Sequence, residues 1–206
     1  MRVSGLYAIA DPALWPGPLV ELCAALARGG AGVVQLRWKG APARDLLAVA
    51  REALPLVHAA GAALVINDRP DVALLAGADG VHVGADDLPV EEVRRLAGDR
   101  LAIGATVRDL AGAIAAARAG ADHVGYGPVF ATRTKIVDAV PQGLEGLRRV
   151  AARSPVPVVA IAGLCLENFG EVARAGAAAG AVASDLLVGG DPEARARLLV
   201  AAWGKR

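Results

Sequence analysis

The sequence predicts a parallel (β/α)₈ barrel, a TIM barrel, that takes residues 1–206 as a single domain. Three observations carry this. Short apolar runs alternate with longer amphipathic runs from one end to the other, eight of each. Most amphipathic runs stop at a glycine that leads straight into the next apolar run. Hydrophobic residues make up 55% of the chain and aromatics only 3%, so Ala, Val, Leu and Ile must build the core. That composition suits a parallel sheet buried on both faces under Ala/Leu-rich helices.

The elements follow in order. The first strand reads at 5–10 as GLYAIA, and the first helix at 18–28 ends at Gly29. The second strand is read at 32–37 and its helix at 43–59, before Gly61. A strand at 63–67 precedes a short helix at 71–76 and Gly77. The fourth pair is 80–83 and 90–96, before Gly98. The fifth is 101–105 and 110–119, closed by Gly120. A strand at 123–127 leads through the long polar stretch 131–143 to a helix at 144–152. The seventh pair is 156–162 and 166–175, before Gly176, and the last is 180–184 and 192–203. These glycines are expected to take the left-handed conformation after the last helical turn. The phrases AGADGVHVG, AGADHVGYG and AGAAAGAVAS repeat one plan of helix stop, turn and strand. Eight such units match closure, whereas an open doubly wound sheet is the alternative architecture.

The net charge is +1 and the arginines are scattered along helices, so no nucleic-acid footprint is expected. The two cysteines, Cys23 and Cys165, read as helical and lack metal or redox spacing, which suits a reducing, cytoplasmic setting. The first residues contain no signal-peptide core, and no uninterrupted run of about 20 apolar residues suggests a membrane span. A homodimer through Ala- and Val-rich helices is a candidate assembly.

In this architecture the carboxyl ends of the strands form the site. The second strand ends in Gln35, Arg37 and Lys39, which alternation puts on the axial side, a set suited to an anion with several oxygens. The third ends in Asn67 and Asp68, and the fourth holds His82 and leads to Asp86 and Asp87. Asp68 with Asp86 or Asp87 would suit Mg²⁺ bridging phosphate oxygens, and helix capping is the competing role for Asp68 and Asp87. His82 reads equally as a core histidine. Thr106 ends the fifth strand, and the 131–143 stretch brings Thr132, Arg133, Thr134 and Lys135. Gly163 after the seventh strand and Ala183-Ser184 at the end of the eighth occupy the position of a recurrent phosphate site. One metal-assisted and one metal-free anion site imply two small phosphorylated substrates.

These residues fall in an ordered set: LYAIAD at 6–11, VQLRWK at 34–39, INDR at 66–69, ADGVHVGADDLP at 78–89, GAT at 104–106, GYGPVFATRTK at 125–135, AIAGL at 160–164 and AVAS at 181–184. Over nearly the whole chain the set resembles the thiamine-phosphate synthase family. The resemblance implies a transferase that joins hydroxymethylpyrimidine diphosphate to thiazole phosphate with release of pyrophosphate. It implies that Gln35, Arg37, Lys39 and Asn67 hold the diphosphate substrate, with Thr106 where the family has a serine. It implies Asp68 and Asp87 as Mg²⁺ ligands and Lys135 on the departing pyrophosphate, so that Arg37, Lys39 and Lys135 act catalytically. Thr132, Thr134, Gly163, Ala183 and Ser184 would take the thiazole phosphate.

The chain departs from the family pattern at Trp38, Ala85, Ala162, Ala178-Ala179 and Ile136-Val137. The thiazole tautomerase branch is the near relative, but the histidine expected there after the sixth strand is absent from Gly127-Pro128-Val129. A non-catalytic sensor of thiazole phosphate or thiamine phosphate is the alternative from another class. A Schiff-base aldolase is disfavoured because Lys39 and Lys135 lie at or beyond strand ends.

Overall fold

The computed structural model describes residues 1–132 and 140–204. Its elements alternate as β1 (Gly5–Ala10), α1 (Leu19–Arg28), β2 (Val33–Leu36), α2 (Ala43–Ala59), β3 (Ala63–Asn67), α3 (Pro70–Ala76), β4 (Gly80–Val83) and α4 (Val90–Ala97). They continue as β5 (Ala102–Val107), α5 (Leu110–Arg118), β6 (His123–Tyr126), α6 (Gly143–Ala151), β7 (Val158–Ile161), α7 (Leu166–Arg174), β8 (Ala179–Val182) and α8 (Pro192–Gly204). Each strand pairs in parallel with the next in chain order, and β8 pairs with β1. That last pairing closes the (β/α)₈ barrel and excludes the open sheet. Among the described residues no helix is long and apolar enough to cross a membrane.

The period of two along each strand builds two apolar layers. Leu6, Ala8, Ala10, Val34, Leu36, Leu64 and Ile66 face outward, into the large core beneath the helices. Val3, Tyr7, Ile9, Val33, Val65, Val159, Ala179 and Ala181 face the axis and fill the barrel. Each buried Leu or Val contributes about 1.5–3 kcal/mol, so both sets of alternate positions favour the same register. Phe169 of α7 packs on Trp203 of α8 with ring centroids 4.9 Å apart, so part of the scant aromatic content bridges the last two helices.

Several boundaries differ from the sequence expectation. β7 starts at Val158 rather than 156, because Pro155 and Pro157 have no N–H to give the ladder. β5 starts at Ala102, since Gly98–Arg100 forms a short 3₁₀ turn, and it runs on to Val107. Ser184 lies not in β8 but in a 3₁₀ turn, Ser184–Leu187. Gly29 is right-handed, and the left-handed residue is Gly30, at φ 93°. Cys165 is not helical but the N-cap residue of α7.

The barrel axis also carries polar side chains. Gln35 Nε2 donates to Tyr7 Oη at 2.9 Å, and His82 Nε2 lies 2.9 Å from Thr106 Oγ1. His123, to which the sequence reading assigned no role, is 1% exposed, and neither ring nitrogen has a protein partner among the described residues. Gly104 makes room for it, since a Cβ there would sit 2.4 Å from His123 Nε2. Burial pulls the imidazole down from 6.5 to about 4. The unfolded chain therefore takes up a proton below 6.5 that the folded chain refuses, and stability falls as pH drops from about 6.5 towards 4. At pH 5 this one group should lower stability by about 2 kcal/mol. Denaturant midpoints at pH 7 and pH 5 check it: His123→Phe should lose less than the parent chain between the two, and equal losses would refute the assignment.

Candidate active site

Among the described residues, the side chains singled out from the sequence gather at the carboxyl-terminal mouth of the barrel. A cavity of about 560 Å³ lined by Arg2, Gly61, Gly77, Asp79 and Arg100 opens at the opposite, amino-terminal end. That end of such barrels serves stability, so chemistry is sought at the mouth.

On the β2–β4 side, alternation carries Gln35 and Arg37 to the axial face, as expected. Gln35 is buried at 4% exposure, so it lies below the rim with its amide held by Tyr7. Arg37 follows β2, and its N–H donates to Ala10 O at 2.9 Å. Its guanidinium forms an ion pair with Asp11. Lys39 is exposed, and its Nζ lies 2.5 Å from Asp68 Oδ2.

Asp68 follows β3 with φ 63°, a left-handed conformation that side chains other than Asn and Asp rarely tolerate. Its backbone N–H donates to His82 O at 2.8 Å. Its carboxyl is raised first by burial and then by Asp87, against the lowering effect of Lys39. The two carboxyl groups therefore meet, and of the two candidates beyond β4 the partner is Asp87. Asp87 Oδ2 also accepts from Gly84 N at 2.8 Å, holding the turn after β4. Neither aspartate caps a helix: the N-cap residues of α3 and α4 are Arg69 and Pro89. Asn67 ends β3, half-buried, and the exposed Thr106 stands next to His82.

On the far side, Val129 N donates to Ile161 O at 3.0 Å and Phe130 N to Ala162 O at 3.1 Å. The chain after β6 thus runs along the end of β7 and delivers Thr132 to the mouth. Gly143 N returns to Val129 O at 2.9 Å, pinning the two ends of the long loop together. Arg133, Thr134 and Lys135 lie outside the described residues. Gly163 is left-handed at φ 69°, and a Cβ there would come within 2.5 Å of Ala131 O. Ala183 and Ser184 follow β8, with Ser184 exposed at the head of the 3₁₀ turn.

Ala162 takes φ 77°, which an L side chain resists by roughly 1–2 kcal/mol. Part of that returns as the backbone entropy a glycine would lose. Ala162→Gly should therefore raise stability by about 0.5–1 kcal/mol, read as a higher Tm; a lower Tm would show that the strain is relieved elsewhere.

Asp11 escaped the sequence reading, although it ends the apolar run LYAIAD at an inward-pointing position of the period-two pattern. Its neighbour Arg37 lies in another βα unit, so the pairing itself had no local signal.

Thiamine monophosphate synthase is the family whose model matches residues 6–186. The thiamine-phosphate synthase of Anaeromyxobacter dehalogenans is 51% identical over 203 residues, which is 98% of this chain and 89% of that protein. That of Myxococcus xanthus is 49% identical over 97% of this chain and 92% of its own length. Among solved structures, a thiamine phosphate pyrophosphorylase from Pyrococcus furiosus superposes with a TM-score of 0.90 at 36% identity, covering 98% of this chain and 96% of that one. The likeness runs from the first strand to the turn after the last, in fold as well as in sequence, and this chain belongs to the thiamine monophosphate synthase family.

Proposed function

We propose that this chain condenses hydroxymethylpyrimidine diphosphate with thiazole phosphate to give thiamine phosphate and pyrophosphate. As a member of that family it is a transferase of thiamine biosynthesis. The observation that carries the division of labour is the meeting of Asp68 with Asp87 beside Lys39.

Two converging carboxylates fit Mg²⁺, which typically takes one or two carboxylates and completes its shell with substrate phosphates and water. Among the described residues no group of three or more His, Cys, Asp or Glu forms a closed cage. A site that a diphosphate completes is consistent with that. Asp68 and Asp87 would hold the ion, which when bound neutralises charge on the leaving diphosphate.

The remaining steps fall to the chain's own groups. Arg37 and Lys39 face the diphosphate and stabilise the negative charge that develops as the C–O bond to the pyrimidine methylene breaks. Gln35, Asn67 and Thr106 orient the substrate, and Lys135 joins the cations on the departing pyrophosphate. Thr132, Thr134, Gly163, Ala183 and Ser184 bind the phosphate of the thiazole, which places its ring nitrogen to capture the methylene. The aminopyrimidine releases electrons towards that carbon, so the scheme needs no nucleophile from the protein.

Pyrophosphate release is the measurement. Release that requires both substrates and Mg²⁺ supports the proposal. Binding of thiazole phosphate without any release would sink it and favour a tautomerase or a sensor.

A further inference from the structure

β1 and β2 run in register, with Ala10 opposite Leu36. The next positions, Asp11 and Arg37, therefore stand side by side at the mouth. Alternation turns both to the axis: Tyr7 and Ile9 precede Asp11 on the inner face of β1, and Val33 and Gln35 precede Arg37 on that of β2. The Asp11 side chain is 6% exposed and that of Arg37 25%.

The two carboxylate oxygens of Asp11 have separate tasks. Oδ1 accepts from Ala13 N at 2.9 Å and closes the turn after β1. Oδ2 pairs with Nη1 of Arg37. The turn alone would be served as well by the uncharged oxygen of an asparagine. A buried carboxylate carries a desolvation penalty that the turn does not require. A guanidinium on a long flexible stem, in contrast, gains from a fixed anchor, because a ligand then has less rotamer freedom to remove. Among the described residues the fork is engaged by Asp11 through Nη1, and a guanidinium has further donors with which to meet a ligand.

We propose that Asp11 is a positioning residue, holding the Arg37 guanidinium in the orientation that receives the diphosphate. The inference rests on the reading above that Arg37 meets the diphosphate.

The experiment is calorimetric binding of magnesium pyrophosphate to the full chain, to Asp11→Asn, to Arg37→Ala and to the double variant. Asp11→Asn keeps the turn acceptor and removes the charge. Asp11→Ser, which retains an acceptor too short to reach Arg37, is carried alongside in case the first variant folds poorly. Asp11→Asn should weaken binding roughly tenfold, Arg37→Ala by at least as much, and the double variant no further than Arg37→Ala alone. In turnover, Asp11→Asn should raise KM for the pyrimidine diphosphate by a similar factor and leave KM for the thiazole phosphate unmoved. A purely structural aspartate would not produce that split. If Asp11→Asn binds as well as the parent chain or better while Arg37→Ala binds poorly, Asp11 is a turn residue or a competitor for Arg37. The inference then fails and the role of Arg37 stands. Losses that add in the double variant overturn it equally. Unaltered binding by Arg37→Ala removes the diphosphate role of Arg37 and the inference with it.

Discussion

Replacing Asp68 and Asp87 together by asparagine is expected to lower magnesium-dependent pyrophosphate release by roughly a thousandfold or more. In the proposed site the two carboxylates would supply the protein's share of the negative charge that holds Mg²⁺, and asparagine offers only a weak neutral oxygen. Asparagine is the informative replacement at 68, because that backbone stands at φ 63°. Asn shares with Asp the ability to occupy the left-handed region, whereas alanine would add a backbone penalty of about 1 kcal/mol and confuse folding with chemistry. The double variant should keep the parent circular dichroism spectrum and still bind thiazole phosphate, whose proposed site lies on the β6–β8 side. Release that persists within about tenfold of the parent would remove both aspartates from the metal site.

Gly163→Ala is expected to destabilise the chain by about 3 kcal/mol and to raise KM for thiazole phosphate at least about tenfold. Two costs add. A Cβ at this position would stand 2.5 Å from Ala131 O and 2.6 Å from Phe130 Cβ, closer than real Cβ atoms come. The φ of 69° is itself one that alanine resists. Relief requires the strip Phe130–Ala131 to move off β7, and that strip delivers Thr132 to the mouth. Three kcal/mol corresponds to a fall in Tm of about 6–12 °C for a chain of this size. Differential scanning calorimetry reads the first effect and steady-state kinetics with each substrate varied in turn reads the second. An unchanged KM in a destabilised protein would show that the glycine serves packing alone. The contrast with Ala162→Gly, of opposite expected sign one residue earlier, separates backbone strain from lost contacts.

The fold was legible because both of its signals are local. Runs such as VVQL and ALVIN are short and apolar throughout, and glycines such as Gly61, Gly77 and Gly120 end the helices with left-handed φ. Strand ends were less legible, since hydrogen-bond partners on neighbouring strands decide them: Pro157 could not donate, and β7 began one residue after it. Much of the β2–β4 side of the candidate site was legible too. Residues at consecutive strand ends become neighbours whenever a barrel closes, which brought Lys39, Asp68 and Asp87 together.

The sequence by itself determined the barrel, the inward and outward faces of its strands and the family of the chain, because period, punctuation and ordered motifs are properties of neighbouring residues. Only the tertiary structure decided that Asp87 is the aspartate meeting Asp68, that Asp11 takes Arg37, that Gln35 turns to Tyr7, and that His123 is sealed in the axis beside Gly104. Each of these depends on what stands across a strand boundary or across the barrel. Burial and pairing set the charge and orientation of such groups, and both are settled only when the eighth strand meets the first.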